Sequence, residues 1–203
     1  QLWAGCLQEL RLTGLGRRAA ERLVRQILGA TCSAAVVNQI VNQADGNALY
    51  LEELIRAASA GKLDALPETI LAMLQARLQG VDSAARRILR SGSVFGEVFW
   101  YGGVQQLQTL PLSESELERH LQTLIEAELI VAHRESRRAG EREYAFRHAL
   151  IRDAAYGLLT VEDRVNGHLL AARYLERVGE SDPMVLAEHL RLGGQPTSAV
   201  TYY

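Results

Sequence analysis

Residues 113–148 read SESELERHLQTLIEAELIVAHRESRRAGEREYAFRH. Ser113 with Glu116 three positions later is the reciprocal pattern that caps a helix at its amino end, each side chain accepting from the other residue's backbone amide. Leu117, Leu121, Leu124 and Ile125 follow at helical spacing. The helix runs into the strand-like Leu129-Ile130-Val131. A polar loop over 135–141, containing Gly140, leads to the alternating run Arg142-Glu143-Tyr144-Ala145-Phe146-Arg147-His148. A helix delivered into one small β-hairpin is expected.

Working outward, Ala85, Ile88 and Leu89 mark a helix, residues 92–103 form a glycine-punctuated stretch, and a further helix passes through Leu107. Three helices followed by a hairpin is the winged-helix order. Beyond the hairpin, Leu150, Ile151, Ala154, Ala155 and Leu158 mark one helix, and Val165, Leu169, Ala172 and Leu175 a longer one. Asp182-Pro183 reads as N-cap and first turn of another, closed by Gly193-Gly194, and a last helix starts near Thr197. Paired helices of this kind suggest the start of a TPR-like repeat region.

Toward the amino end, Ala20, Leu23, Val24, Ile27 and Leu28 form a helical stripe ended by Gly29. Ser33 is a cap for a second helix with Val37, Ile40, Val41 and Ala44, closed by Asp45-Gly46. A third starts at Asn47 and carries Leu51, Leu54, Ile55 and Ala58, ending at Gly61. Pro67 opens a fourth, with Ile70, Leu74 and Leu78, which stops at Gly80. Four short helices with brief connectors make a compact helical subdomain. The expected class is mostly α.

Composition narrows the function. With 203 residues, 48% hydrophobic, 23% charged and a formal charge of −2, the chain has the balance of a folded globular protein and no preference for a polyanionic partner. Cys6 and Cys32 are too few for a disulfide framework and too far apart for a thiolate zinc site, so a cytoplasmic setting without metal is expected. No apolar run is long enough to span a membrane. The opening Gln1-Leu2-Trp3-Ala4-Gly5-Cys6 lacks the basic and apolar regions of a signal peptide. Because it opens without a Met and enters a periodic pattern within a few residues, the chain is expected to be a fragment of something longer.

Motifs for chemistry are missing. A phosphate cradle needs G-x-x-x-x-G-K-[ST], and the one Gly-Lys pair, Gly61-Lys62, is followed by Leu63. HExxH, CxxC and GxSxG do not occur, which leaves hydrolase and metal readings without a motif. Of the five histidines, His120, His133, His168 and His189 read as ordinary helix or loop residues. His148 stands apart, since alternation puts it on one strand face with Tyr144 and Phe146, and that face is expected to be buried. Either it caps the next helix or bonds a core carbonyl, or it presents a ring N–H to a bound anion.

The run Asp45-Gly46-Asn47-Ala48-Leu49-Tyr50-Leu51-Glu52-Glu53-Leu54 resembles the G-N-P-L-F-L-E-E-L motif in the lid of STAND-class signal-transduction ATPases. Leu66-Pro67-Glu68-Thr69-Ile70 and Gln75-Ala76-Arg77-Leu78 resemble the LP-x-T-(I/L) and R-L elements that follow it. Phe146-Arg147-His148-Ala149-Leu150-Ile151-Arg152-Asp153-Ala154-Ala155-Tyr156 is similar to the F-x-H-x-L-(I/L)-R-x-x-x-Y signature at the end of the family's winged helix. The resemblance covers nearly the whole chain and is strongest for modules attached to bacterial adenylate cyclases, kinases and LuxR- or AfsR-like activators.

The resemblance implies a division into the end of a nucleotide-binding core (1–15, with Leu10-x-Leu12 as its last strand), a lid (16–80), a winged helix (81–160) and the start of a TPR-like region (161–203). It implies that His148 contacts the β-phosphate of ADP, and that ADP or ATP with Mg is held by an upstream core of the same chain. This segment would then have no ATPase activity of its own. Gly46 and Asn47 form either a helix-capping turn or a turn shaped for nucleotide. Ala48 stands where the family has an adenine-contacting proline. An effector, protein or small molecule, would act through the helical repeats. A DNA-binding module is the alternative, as is a helical scaffold, but the candidate recognition helix 113–129 carries Glu114, Glu116, Glu118, Glu126 and Glu128 against Arg119. Duplex phosphate demands the opposite sign.

Overall fold

The computed structural model describes residues 13–29, 32–63, 69–108 and 110–202. It is mostly helical with one small antiparallel sheet, and it divides into two compact units, Gln1–Met73 and Leu74–Tyr203. The division falls within the helix Ile70–Gln79.

In the first unit, α1 (Arg17–Leu28), α2 (Ala34–Ala44) and α3 (Ala48–Ser59) pack on one another. Ser33 Oγ accepts the Val36 amide and so starts α2, as its position suggests. Val37, Ile40, Val41, Leu51, Leu54 and Ile55 are buried, each worth about 1.5–3 kcal/mol relative to exposure. The α1 stripe is narrower than its periodicity implies: Ala20 and Val24 are buried, whereas Leu23 and Ile27 remain 37% and 54% exposed. Only one edge of that stripe meets α2 and α3. Leu10, Leu12 and Pro67 lie outside the described residues. Within them α4 (Ile70–Gln79) starts at Ile70, where the Thr69 hydroxyl accepts from the Ala72 amide.

The second unit is built on α5 (Ser83–Phe95), β1 (Val98–Trp100), α6 (Tyr101–Leu107), α7 (Glu114–Glu126), β2 (Ile130–Ala132) and β3 (Glu143–Phe146). The capping box of Ser113 and Glu116 is formed, and Leu117, Leu121 and Leu124 are buried. The expected two-stranded hairpin is extended to three strands in the order β1-β3-β2, with Val98 paired to Ala145 and Ile130 to Phe146. A strand of three residues is too short to show a period. Its glycine surroundings mislead as well, because Gly92 lies inside α5. Glycine is needed there for space: a Cβ at Gly92 would stand 3.0 Å from Cδ1 of the fully buried Phe99.

The chain continues into α8 (Ala149–Gly157), α9 (Val161–Arg177), α10 (Pro183–Leu192) and α11 (Pro196–Ala199). Helix α9 packs on α5 and α6, and Trp100, Tyr174, Leu175 and Leu186 share one cluster with Phe95 and Val98. Residues 161–203 therefore belong to the same compact unit as 81–160. The buried face of α9 runs through His168, Ala171, Ala172 and Leu175, leaving the expected Val165 partly exposed.

Two buried histidines join α9 to α10. His168 Nδ1 lies 3.0 Å from His189 Nδ1, and His168 Nε2 lies 2.9 Å from the Tyr156 hydroxyl. Two ring nitrogens facing each other require one proton between them, so the accepting ring is neutral. Burial lowers both pKa values from about 6.5 to about 4, and the nearby His189, Arg152 and Arg164 add to the effect at His168.

Two consequences are measurable. Gly92→Val should destabilise the chain by about 1–3 kcal/mol in urea unfolding, because a branched side chain meets a ring that a strand holds in place. Stability should also depend on acid. An unfolded histidine binds its proton near pH 6.5 while the folded pair resists to about pH 4, so stability is full above pH 6.5 and falls between 6.5 and 4. The loss is on the order of a few kcal/mol. Replacing both residues by glutamine should flatten that part of the profile, as read by thermal unfolding across the range.

Candidate functional site

The turn between α2 and α3 is made by two successive left-handed residues, Asp45 (φ 44°) and Gly46 (φ 76°). Aspartate tolerates that region better than most side chains, and glycine enters it freely. The turn places Asn47 ahead of α3, where its Oδ1 accepts the Tyr50 amide at 3.1 Å. The capping reading of Gly46 and Asn47 is thus realised in the structure.

The same turn also touches the residues before α1. Leu15 N–H donates to the Gly46 carbonyl at 2.8 Å, and a Cβ on Gly14 would come within 3.2 Å of that oxygen. Around this close approach lies a recess of about 370 Å³, bordered by Gly14, Leu15, Arg17, Asn42, Asp45 and Gly46. The Arg17 guanidinium is committed to Glu21 (2.9 Å), Asn42 (2.7 Å) and Asn38 (2.8 Å). A cation held by three acceptors is a poor phosphate clamp. The recess offers backbone edges, the Asn42 amide and the Asp45 carboxylate, which suits a neutral, hydrogen-bonding planar group better than an anion. Gly14 and Arg17 escape a motif search, since the cue to them is only the pair of glycines flanking Leu15.

His148 lies in the second unit, and its ring is exposed rather than buried. Tyr144 and Phe146 do face the core, but β3 ends at Phe146, so the alternation that would carry His148 inward stops two residues short. Its Nδ1 accepts the Leu150 amide at 3.2 Å and caps α8. A neutral ring accepting at Nδ1 carries its proton on Nε2. That N–H has no partner among the described residues. The two sequence readings of His148 are therefore compatible, one nitrogen capping and the other available to donate.

Ala48 is exposed at the first position of α3. No group of three or more histidines, cysteines or carboxylates converges on a possible metal site among the described residues, and none of their helices is long and apolar enough to cross a membrane. No family model, curated protein or solved structure matches the chain.

The local geometry makes Ala48 a favourable site for proline. The first helical residue needs no N–H donor, and Asn47 at φ −78°, ψ 111° already has the extended backbone required before proline. Ala48→Pro should raise stability by about 0.4–1 kcal/mol through the unfolded chain's lost freedom. Equilibrium unfolding of the variant beside the unaltered chain reads this directly, and a loss of stability would contradict the assigned start of α3.

Proposed function

We propose that the chain is the regulatory segment of a nucleotide-switched STAND-class ATPase, a signalling or transcriptional regulator. In this reading residues 16–80 are the lid, 81–160 the winged helix and 161–203 the start of a TPR-like effector platform, closing over ADP or ATP with Mg on an upstream core of the same chain. One observation carries it: at the strand-to-helix junction, His148 caps α8 through Nδ1 and keeps an exposed Nε2–H for an acceptor such as a β-phosphate oxygen. The recess beside Gly46 and Asn47 supports it, being suited to a base and not to a phosphate. The helical order α5, α6, α7 followed by β2 and β3 agrees with a winged helix.

The DNA-binding alternative is weaker on charge. Glu118 holds Arg142 at 2.7 Å and Glu128 holds Arg147 at 3.2 Å, so basic side chains near α7 are engaged by carboxylates and withdrawn from any duplex. A scaffold role for α9 to α11 is compatible with the proposal, since an effector platform is itself a scaffold.

Serine at position 148 separates the two nitrogens' tasks, because it caps a helix as well as any residue but cannot reach a distant phosphate. In this chain His148→Ala should cost about 0.5–2 kcal/mol of stability, and His148→Ser little. In the longer nucleotide-bound protein both should accelerate ADP release roughly tenfold or more, the loss of a charge-assisted hydrogen bond of about 1.5–3 kcal/mol. Stopped-flow release of a fluorescent ADP measures this. An unchanged rate in His148→Ser would sink the nucleotide role while leaving the cap intact.

A further inference from the structure

The faces of α5 and α9 that meet at one end of the second unit are unusual in charge. Arg87, Arg90, Ser91 and Val94 lie along one side of α5, and Asp163, Gly167, Leu170 and Arg173 along one side of α9, both at helical spacing. Between them is a cleft of about 460 Å³, closed by Leu107 and Gln108 at the end of α6 and by Leu159 before α9. That is the size of a pocket for a small organic ligand.

Its wall is apolar in part, with Val94, Leu107, Leu159, Leu169 and Leu170 on the surface. Its charges do not cancel. Arg90 pairs with Asp163 at 2.5 Å, 31% and 45% exposed respectively. Arg87 and Arg173 have no hydrogen-bond, ion-pair or ring partner among the described residues. Three arginines against one aspartate leave two positive charges in excess. Three polar atoms in the wall are also buried without a partner, Nε of Arg87, Nε of Arg90 and Oε1 of Gln108, the last although the Gln108 amide nitrogen is held by Ser91 at 3.0 Å. Buried polar groups are ordinarily satisfied, and like charges gathered without a counter-charge destabilise the unliganded fold. A protein that tolerates both in one cleft has a use for them.

We infer that the cleft between α5 and α9 binds a small organic dianion, an apolar body carrying either a phosphate monoester or two carboxylates, with Arg87 and Arg173 as the neutralising pair. Arginine suits either headgroup, because its planar fork donates two parallel hydrogen bonds to a phosphate or carboxylate. The leucines take the apolar body. This site is separate from the Gly46 turn and from His148, and it stands whether or not the chain regulates a nucleotide.

The test is calorimetric titration of the chain with phenyl phosphate and with octanedioate at low ionic strength, beside benzyl alcohol and inorganic phosphate. At least one dianion should saturate a single site roughly tenfold more tightly than the neutral alcohol or bare phosphate, and more weakly as salt is added. Whichever dianion binds more tightly identifies the headgroup. Arg87→Gln and Arg173→Gln should each weaken it about tenfold, whereas Arg18→Gln on α1 should not. Melting of the unliganded variants guards against misfolding: with a repelling charge removed, neither Arg87→Gln nor Arg173→Gln should melt earlier than the original chain. Absence of saturable dianion binding overturns the assignment. So does binding that survives both substitutions, or a clear loss of stability in both variants, which would make these arginines supports of the fold.

Discussion

The second unit turns on one buried carboxylate. Glu143 opens β3 with its side chain 1% exposed, a position in which an ion is costly unless it is fully hydrogen-bonded. It is. Trp100 Nε1 donates at 3.0 Å from β1, His133 Nδ1 at 2.7 Å from the end of β2, and the Arg137 amide at 3.0 Å from the loop between β2 and β3. Burial alone would raise its pKa, but these donors and the Arg137 charge hold it below the usual carboxylate range. One side chain thus fastens all three strands and folds the loop back on them. That loop carries Arg138, whose guanidinium sits 4.3 Å over the Trp100 ring and pairs with Glu180 in the turn between α9 and α10. The anchoring of the helical hairpin to the sheet follows from how Glu143 is satisfied.

Local rules were easy to read from the sequence where the signal was local. The capping box at Ser113, the Ser33 and Asn47 caps, the Asp182-Pro183 start of α10 and the glycine at Gly29 are contacts spanning three or four residues, and each is found in place. What failed was tertiary. β1 is defined by pairing with residues far along the chain, and Gly92 is a glycine because of a ring in that strand, so its presence argued locally for a loop. The packing across position 160 is tertiary in the same way, since only the packed structure shows Tyr174 and Leu175 entering a core with Trp100.

The candidate site divides in a similar way. Positions 46 and 47 were legible because turn chemistry is local. The exposure of His148 was not, because strand alternation extrapolated past Phe146 assumes a strand that has already ended. Gly14 and Arg17 came to the Gly46 turn through folding, as did the arginines of α5 and α9, which are distant in sequence and belong to no motif. Glu143 itself reads in sequence as one more charge in an alternating strand, and nothing in its neighbours announces that Trp100, His133 and Arg137 converge on it.

The strand order has a consequence for how the chain is made. β3 is the last strand in sequence and the middle one in space, and it contributes Tyr144 and Phe146, whose rings pack on Phe99 at centroid distances of 5.7 and 5.3 Å. Until it emerges from the ribosome, β1 and β2 have nothing to pair with, and the apolar side of α5 around Gly92 lacks the ring arrangement that fits it. Helices α5, α6 and α7 can form as they are synthesised, since their hydrogen bonds are internal, but they cannot be sealed into a core. Completion of the sheet therefore waits on the short run from Glu143 to Phe146, and closure of the core around Trp100 waits further on Tyr174 and Leu175 of α9.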